Sequence, residues 1–337
     1  MIFTRRRAII GALSTASLAV ITGPTEAVTV LDSTWRAEGG GPGRESEGFG
    51  AHVALARQSQ FAGVIPLSHA GDEDWGAGSS TWVGNFGGVG YVLTAAHIFE
   101  RGGSGDQYDY RLPDGSVAEC TSITFHPLYN WNDEERAGYD FAIVRLDGPV
   151  TQAGSPPRLY GGGQEEGARI VMVGYGSRGI GSTGQHPVFQ PSWGKAAAEN
   201  TVDEMMEAVR PVPQGEDAGN WLRVTLRRES EGASRLDGLL GSGDSGGSTW
   251  IRTGGIWAIA GVNANGTGNA SYGDHSFFAR VSGVRDWISE SCPACTLLPR
   301  TIDSSHASAR QSSGVGVTEP QRLRSSSTSR FLGQMDF

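Results

Sequence analysis

From Thr81 to Val281 the chain breaks into short runs of β-branched, aromatic and aliphatic residues, punctuated by Gly, Asn, Asp and Pro. The clearest in the first half are Thr81-Trp82-Val83, Gly90-Tyr91-Val92-Leu93-Thr94 and Phe141–Leu146. In the second half they are Arg169–Val173, Trp221–Leu226, Ile256–Val262 and Ser276–Val281. Runs of this kind, bounded by turn formers, read as strands. The βαβ alternation that a parallel sheet needs is missing. Two strand-rich halves without crossover helices imply barrels or sandwiches. Gly supplies 51 of the 337 residues and charged residues only 19%, which suits tight turns more than long helices. Val284 to Ser291 reads as a short closing helix, and no internal repeat is present.

The two ends differ from this middle. Residues 1–27 carry the marks of an export signal: Arg5-Arg6-Arg7, an apolar run from Ala8 to Ile21, and small residues at Thr25-Glu26-Ala27. The arginine pair ahead of a weakly hydrophobic segment also resembles a twin-arginine signal. Residues 28–50, with Gly39-Gly40-Gly41-Pro42-Gly43, read as a flexible linker, so order is expected from about Ala51. Residues 292–337, rich in Ser and Arg from Thr296 onward, read as a disordered tail. Between them, 51–155 and 165–282 are the expected strand-rich halves, with the helix at 284–291.

A net charge of −9 argues against nucleic acid as a partner. The apolar run at 8–21 is short for a membrane span, so no stable span is expected once the signal is removed. Only Cys120, Cys292 and Cys295 are present, too few for a disulfide framework. Cys292-Pro293-Ala294-Cys295 reads as a local disulfide or as free thiols; zinc would need two further ligands, and none has suitable spacing. No metal or cofactor is implied.

Chemistry concentrates at Gly241-Ser242-Gly243-Asp244-Ser245-Gly246-Gly247-Ser248. Small residues leave the Ser245 hydroxyl uncovered and keep backbone N–H groups open to an oxyanion. By itself the stretch is ambiguous. It also fits the Gly-x-Ser-x-Gly elbow of α/β-hydrolases, and Ser/Gly runs are often plain loops.

Two upstream blocks narrow the choice: Leu93-Thr94-Ala95-Ala96-His97-Ile98-Phe99 and Tyr139-Asp140-Phe141-Ala142-Ile143-Val144. With the Ser245 loop they resemble the signature blocks of the chymotrypsin-like (trypsin-fold) serine endopeptidases, in the order His, Asp, Ser. His126-Pro127-Leu128-Tyr129-Asn130, Val173-Gly174-Tyr175-Gly176 and the stretch from Val281 to Ile288 add to the likeness, which covers about 51–291. The hydrolase elbow needs its acid and His after the Ser, on a strand–turn–helix, whereas Gly246 to Ile251 reads as strand.

The resemblance implies an all-β fold of two antiparallel Greek-key barrels with a short C-terminal helix, in an exported, bacterial-type member acting on a protein or peptide substrate. It makes Ser245 the nucleophile, His97 the proton carrier and Asp140 its orienting acid, with the N–H groups of Gly243 and Ser245 as the oxyanion hole. His126 and Asp244 are expected to be structural. Counted back from Ser245 without a gap, Leu239 takes the floor of the specificity pocket. Asn263, Ala264 and Asn265 take its wall, and Ser276 the opposite side. A Leu floor implies small or medium apolar side chains before the cut; a two-residue gap would bring Asp237 to the floor and favour Lys or Arg.

There are departures. Ile98 stands where a Cys is usual, and Ser248 where Pro is usual. Many members are activated by a cut before Ile or Val, whose new amino terminus pairs with the Asp preceding the Ser. Here the basic residues between Ala27 and His97 are Arg36, Arg44 and Arg57, and none precedes Ile or Val. Asp244 therefore needs another partner. The rival expectation is a catalytically silent relative that binds proteins through the same cleft.

Overall fold

In the computed structural model, which describes residues 28–72, 75–99, 107–132, 138–189, 194–206 and 220–299, the strands divide their side chains between two faces, as a period of two requires. In Ala142–Leu146, for example, Ala142, Val144 and Leu146 enter one core and Ile143 another. The first core fills a closed barrel of six strands in the order Val64–His69, Gly78–Phe86, Val89–Thr94, Ala142–Leu146, Val117–Phe125, Tyr108–Arg111.

The second half forms an open sheet, a half-barrel, along Ala196–Thr201, Arg169–Gly174, Ser248–Thr253, Ile256–Gly266, His275–Arg280, Trp221–Thr225 and Glu204–Met206. One face of this sheet, through Val171, Val173, Trp250 and Phe277, joins Leu93, Phe141 and Ile143 of the barrel in a shared core. Its other face, through Ile170, Met172, Leu222 and Phe278, packs in a separate core. The chain is thus mostly β, as expected, with a short helix at Arg285–Ser291 that buries Ile288.

Two expectations about the ends need correction. Residues 28–50 are not a linker: Thr29–Val30 is a strand, Asp32–Ala37 a helix, and a further helix begins at Gly50. Val28, Val30, Leu31, Trp35 and Phe49 are all buried in the separate core behind the open sheet, and their burial outweighs the flexibility of the Gly-rich stretch between them. Trp35 meets Phe189 edge to face at 5.8 Å and donates its indole N–H to the Glu45 carbonyl. The start of the expected tail is also ordered. Cys292 and Cys295 are bridged, and Thr296–Leu297 pairs in parallel with Arg158–Leu159. Residues 1–27 and 300–337, where the signal and the rest of the tail were expected, lie outside the described residues. Among the described residues no helix is long and apolar enough to cross a membrane.

Candidate active site

Strand register brings His97 and Asp140 together. Val89–Thr94 and Ala142–Leu146 run antiparallel with Thr94 opposite Ala142, so the residues just after one and just before the other share an end of the barrel. His97 sits there on a single 3-10 turn, Ala96–Ile98. Asp140, 2% exposed, holds it twice: Oδ1 accepts the His97 backbone N–H at 2.9 Å, and Oδ2 faces Nδ1 at 2.6 Å. A carboxylate only accepts, so Nδ1 carries the proton and Nε2 is left basic. His126 lies apart from this pair, stacked on Tyr139 at 4.8 Å and against Trp287.

The Ser245 loop comes from the other half and is clamped onto the barrel. The Ser79 N–H donates to the Ser245 carbonyl at 2.8 Å, and the Ser79 hydroxyl donates to the Gly243 carbonyl at 2.9 Å. Gly246 has φ +80°, and a Cβ there would run into Thr94 Oγ1 and the Ser79 carbonyl and come within 2.6 Å of Ile98, the neighbour of His97. Only glycine allows that approach. The half-buried Ser245 hydroxyl donates to the Ala264 carbonyl at 3.2 Å.

Two carbonyls of the loop are tied inward. The Ser242 carbonyl accepts the Ser177 N–H at 2.6 Å, and the Asp244 carbonyl accepts the Gly247 N–H and Asn263 Nδ2. In a trans peptide the N–H points opposite to its carbonyl, which turns the Gly243 and Ser245 N–H groups the other way. Neither donates to an acceptor among the described residues. Ser79, Ser177 and Asn263, which set this geometry, carry no motif in the sequence.

Asp244 lies beneath, fully buried, and accepts N–H groups from Gly241 at 2.7 Å, Gly176 at 2.8 Å and Val28 at 3.2 Å. Burial pushes its carboxyl up to about 6 although all three N–H bonds pull the other way. The Gly174-Tyr175-Gly176 stretch gains its purpose here, since a Cβ on Gly176 would collide with the Asp244 backbone.

A cleft of about 260 Å³ opens beside Ser245, with Leu240, Ala264, Asn265 and Thr267 in its lining. Leu239, expected at the floor, is fully buried, pairs with Thr29 across the short strand Gly238–Leu239 and packs in the core behind the open sheet. Its neighbour Leu240 packs in that core too and also reaches the lining of the cleft. Asp237 is elsewhere, paired with Arg169 at 2.7 Å and holding the Ser234 N–H. Of the expected wall, Ala264 and Asn265 line the cleft. Asn263 is buried, its amide bonded to the Val173 and Asp244 carbonyls and its oxygen to Thr249. Ser276 is buried too, where it accepts the Leu240 N–H at 3.0 Å.

The chain matches the family model described as Trypsin over residues 84–288, which takes in the His97 turn, Asp140 and the Ser245 loop. It belongs to the trypsin family. A rat protein named Transmembrane protease serine 9 is 27% identical to it over 211 residues, covering 59% of this chain and 18% of that protein. The trypsin-family chain described here therefore spans less than a fifth of that relative's length.

Proposed function

We propose that this trypsin-family chain is an exported serine endopeptidase. Ser245 Oγ attacks the scissile carbonyl and His97 Nε2 takes its proton. The resulting oxyanion is held by the Gly243 and Ser245 N–H groups. Collapse breaks the C–N bond, and the imidazolium protonates the departing amine. Water, deprotonated by the same imidazole, then releases the acyl group. The observation that carries this reading is the double grip of Asp140 on His97, next to a serine loop clamped against the same turn. Among the described residues the cleft lining contains no charged side chain, which supports a small or medium uncharged side chain before the cut. Cleavage profiling on a mixed peptide library checks this; cutting confined to Lys and Arg sites would overturn it.

A silent, protein-binding relative is the second reading, favoured by the Ser245 hydroxyl pointing to Ala264. One rotation about a single bond frees that hydroxyl, so the two readings part on reactivity. A fluorophosphonate probe should attach at Ser245 and fail to attach in His97→Ala. A folded wild-type protein that takes up no probe would establish the silent reading.

A further inference from the structure

A second opening, larger than the cleft beside Ser245, lies where the barrel meets the open sheet. It encloses about 450 Å³. Val64, Ile65 and Leu112, with Trp75 and Tyr175, give it an apolar side, and Arg57, Arg111 and Lys195 bring three cations to it. Among the described residues no Asp or Glu lines it. On a chain of net charge −9 this is a local reversal of sign.

None of the three cations has a carboxylate partner among the described residues. Elsewhere Arg169, Arg227 and Arg280 each hold an Asp or Glu. Arg57 and Arg111 are exposed, and Lys195 is partly buried. The Lys195 ammonium donates to the Phe61 and Val64 carbonyls at 2.8 and 3.2 Å, which leaves its third N–H without an acceptor among the described residues. Burial pulls that ammonium down to about 8, with no acid to draw it back up. Asp114, on the turn beside the opening, is already engaged by Ser116 and Thr151. A partly buried cation held only by neutral carbonyls is costly, and an incoming anion relieves it.

The lining also restricts what carries the anion. A bare inorganic ion would meet the cations and leave Trp75, Val64 and Ile65 facing water, whereas a ligand with both carboxylates and an apolar side chain covers the two surfaces together. The position of the opening points to the source of such a ligand. Tyr175 in its wall donates its backbone N–H to Ser79 Oγ at 2.8 Å, and that hydroxyl donates to the Gly243 carbonyl at 2.9 Å. Two hydrogen bonds therefore separate this wall from the Ser245 loop. An extended peptide rises about 3.3 Å per residue, so a chain lying in the cleft reaches the opening within a few residues.

We propose that this opening is a second recognition site, for an acidic peptide segment with an aromatic or large aliphatic side chain beside its carboxylates. The apolar side chain lies against Trp75, Val64 and Leu112, and the carboxylates meet Arg57, Arg111 and Lys195. Binding there is independent of catalysis. Its consequence for cleavage, a preference for substrates that carry such a segment near the cut, rests on the endopeptidase reading.

The test uses the capped tripeptide Glu-Phe-Glu, titrated by calorimetry into the Ser245→Ala protein, which keeps the peptide intact. Binding should saturate, with Gln-Phe-Gln and Glu-Ala-Glu each weaker on the order of tenfold. Adding Arg57→Gln and Arg111→Gln together should weaken Glu-Phe-Glu on the order of tenfold, and these exposed replacements should leave Tm unchanged. Lys195→Met should weaken it at least as much. Absence of saturable binding would overturn the proposal, as would equal affinity for Gln-Phe-Gln or equal affinity in the double arginine variant. Inorganic phosphate that displaces the peptide at equal concentration would reduce the opening to a simple anion hole and overturn the peptide assignment. In the wild-type protein, a fluorogenic peptide extended by Glu-Phe-Glu should show a KM about tenfold below that of its Gln-Phe-Gln counterpart at unchanged kcat. The double arginine variant should lose that difference while cutting the unextended peptide as before; a difference that persists would overturn the preference. If no peptide is cut at all, the endopeptidase reading fails, and calorimetry still decides the site.

Discussion

The two halves of the candidate site are built differently. His97 and Asp140 stand on neighbouring strands of a closed barrel, and one register, Thr94 opposite Ala142, brings them together. Ser245 sits on a loop whose shape is set by four distant segments: Val28, the Gly176–Ser177 turn, Ser79 and Asn263. The first arrangement is a by-product of folding the barrel. The second depends on buried polar groups meeting one another, and each is destabilised if its partner is missing. If the endopeptidase reading holds, the histidine side should tolerate change around it, whereas the serine side should respond to changes far from Ser245.

The largest effects fall on the reacting groups and set the scale. Ser245→Ala should lower kcat on the order of 10⁶-fold in a peptide assay, with the melting temperature little changed. Asp140→Asn should lower it on the order of 10⁴-fold. An Asn in that place has one acceptor for two donors. Whichever way its amide turns, an N–H confronts either the His97 backbone N–H or Nδ1–H. A drop of tenfold or less would mean that Asp140 does not set the imidazole tautomer.

Gly246→Ala probes the seam where the halves meet. The new Cβ would press on Thr94 Oγ1, the Ser79 carbonyl and Ile98 at a backbone angle that Ala resists. Activity should fall on the order of 10²-fold, with about 1–3 kcal/mol lost in a urea melt. An unchanged rate would show that the serine loop has more slack than its contacts indicate.

How much of this was legible in the sequence follows the same division. Strand runs, the His97 and Asp140 blocks and the Ser245 loop are local patterns, and each can be read where it stands. The clamp is non-local. Ser79 is an ordinary strand serine until its hydroxyl is seen bridging the Gly243 carbonyl and the Tyr175 N–H. Leu239 and Leu240 are equivalent on paper, and only the fold shows Leu239 taken up by the pairing of Gly238–Leu239 with Thr29–Val30 while Leu240 reaches the cleft lining. That pairing was hidden because 28–50 looks like a Gly-rich linker, while its sparse apolar residues, Val28, Val30, Leu31, Trp35 and Phe49, are spaced to reach a single core.

The pH dependence sharpens the comparison without touching a reacting group. Burial pushes the Asp244 carboxyl up to about 6, above its ordinary value of 3.8, so the native state keeps a proton that the unfolded chain has released. Stability contributed below that range is lost as pH rises from about 4 to about 6, by about 3 kcal/mol, and the curve is level above it. Asp244→Asn removes that group, so its stability should stay level over the same range. Urea midpoints of the two proteins across pH 4–8 give the difference directly. A decline of equal size in both would mean that Asp244 does not carry it.

Ser79→Ala should give the smallest effect and is the most discriminating for the clamp. Its hydroxyl donates to the Gly243 carbonyl at 2.9 Å and accepts the Tyr175 N–H at 2.8 Å, linking the serine loop to the turn that also carries Gly176. Truncation leaves that N–H without its acceptor and the Gly243 carbonyl without its donor, worth about 1–3 kcal/mol in stability. The Ser79 backbone bond to the Ser245 carbonyl survives, so the loop stays in place but its Gly243 end is looser. The expected signature is a kcat lowered about tenfold at unchanged KM, because the oxyanion donor beside that carbonyl matters in the transition state more than in substrate binding. A rise in KM with kcat intact would instead put the role of Ser79 in the cleft wall, and the serine half would then be no more interdependent than the barrel half.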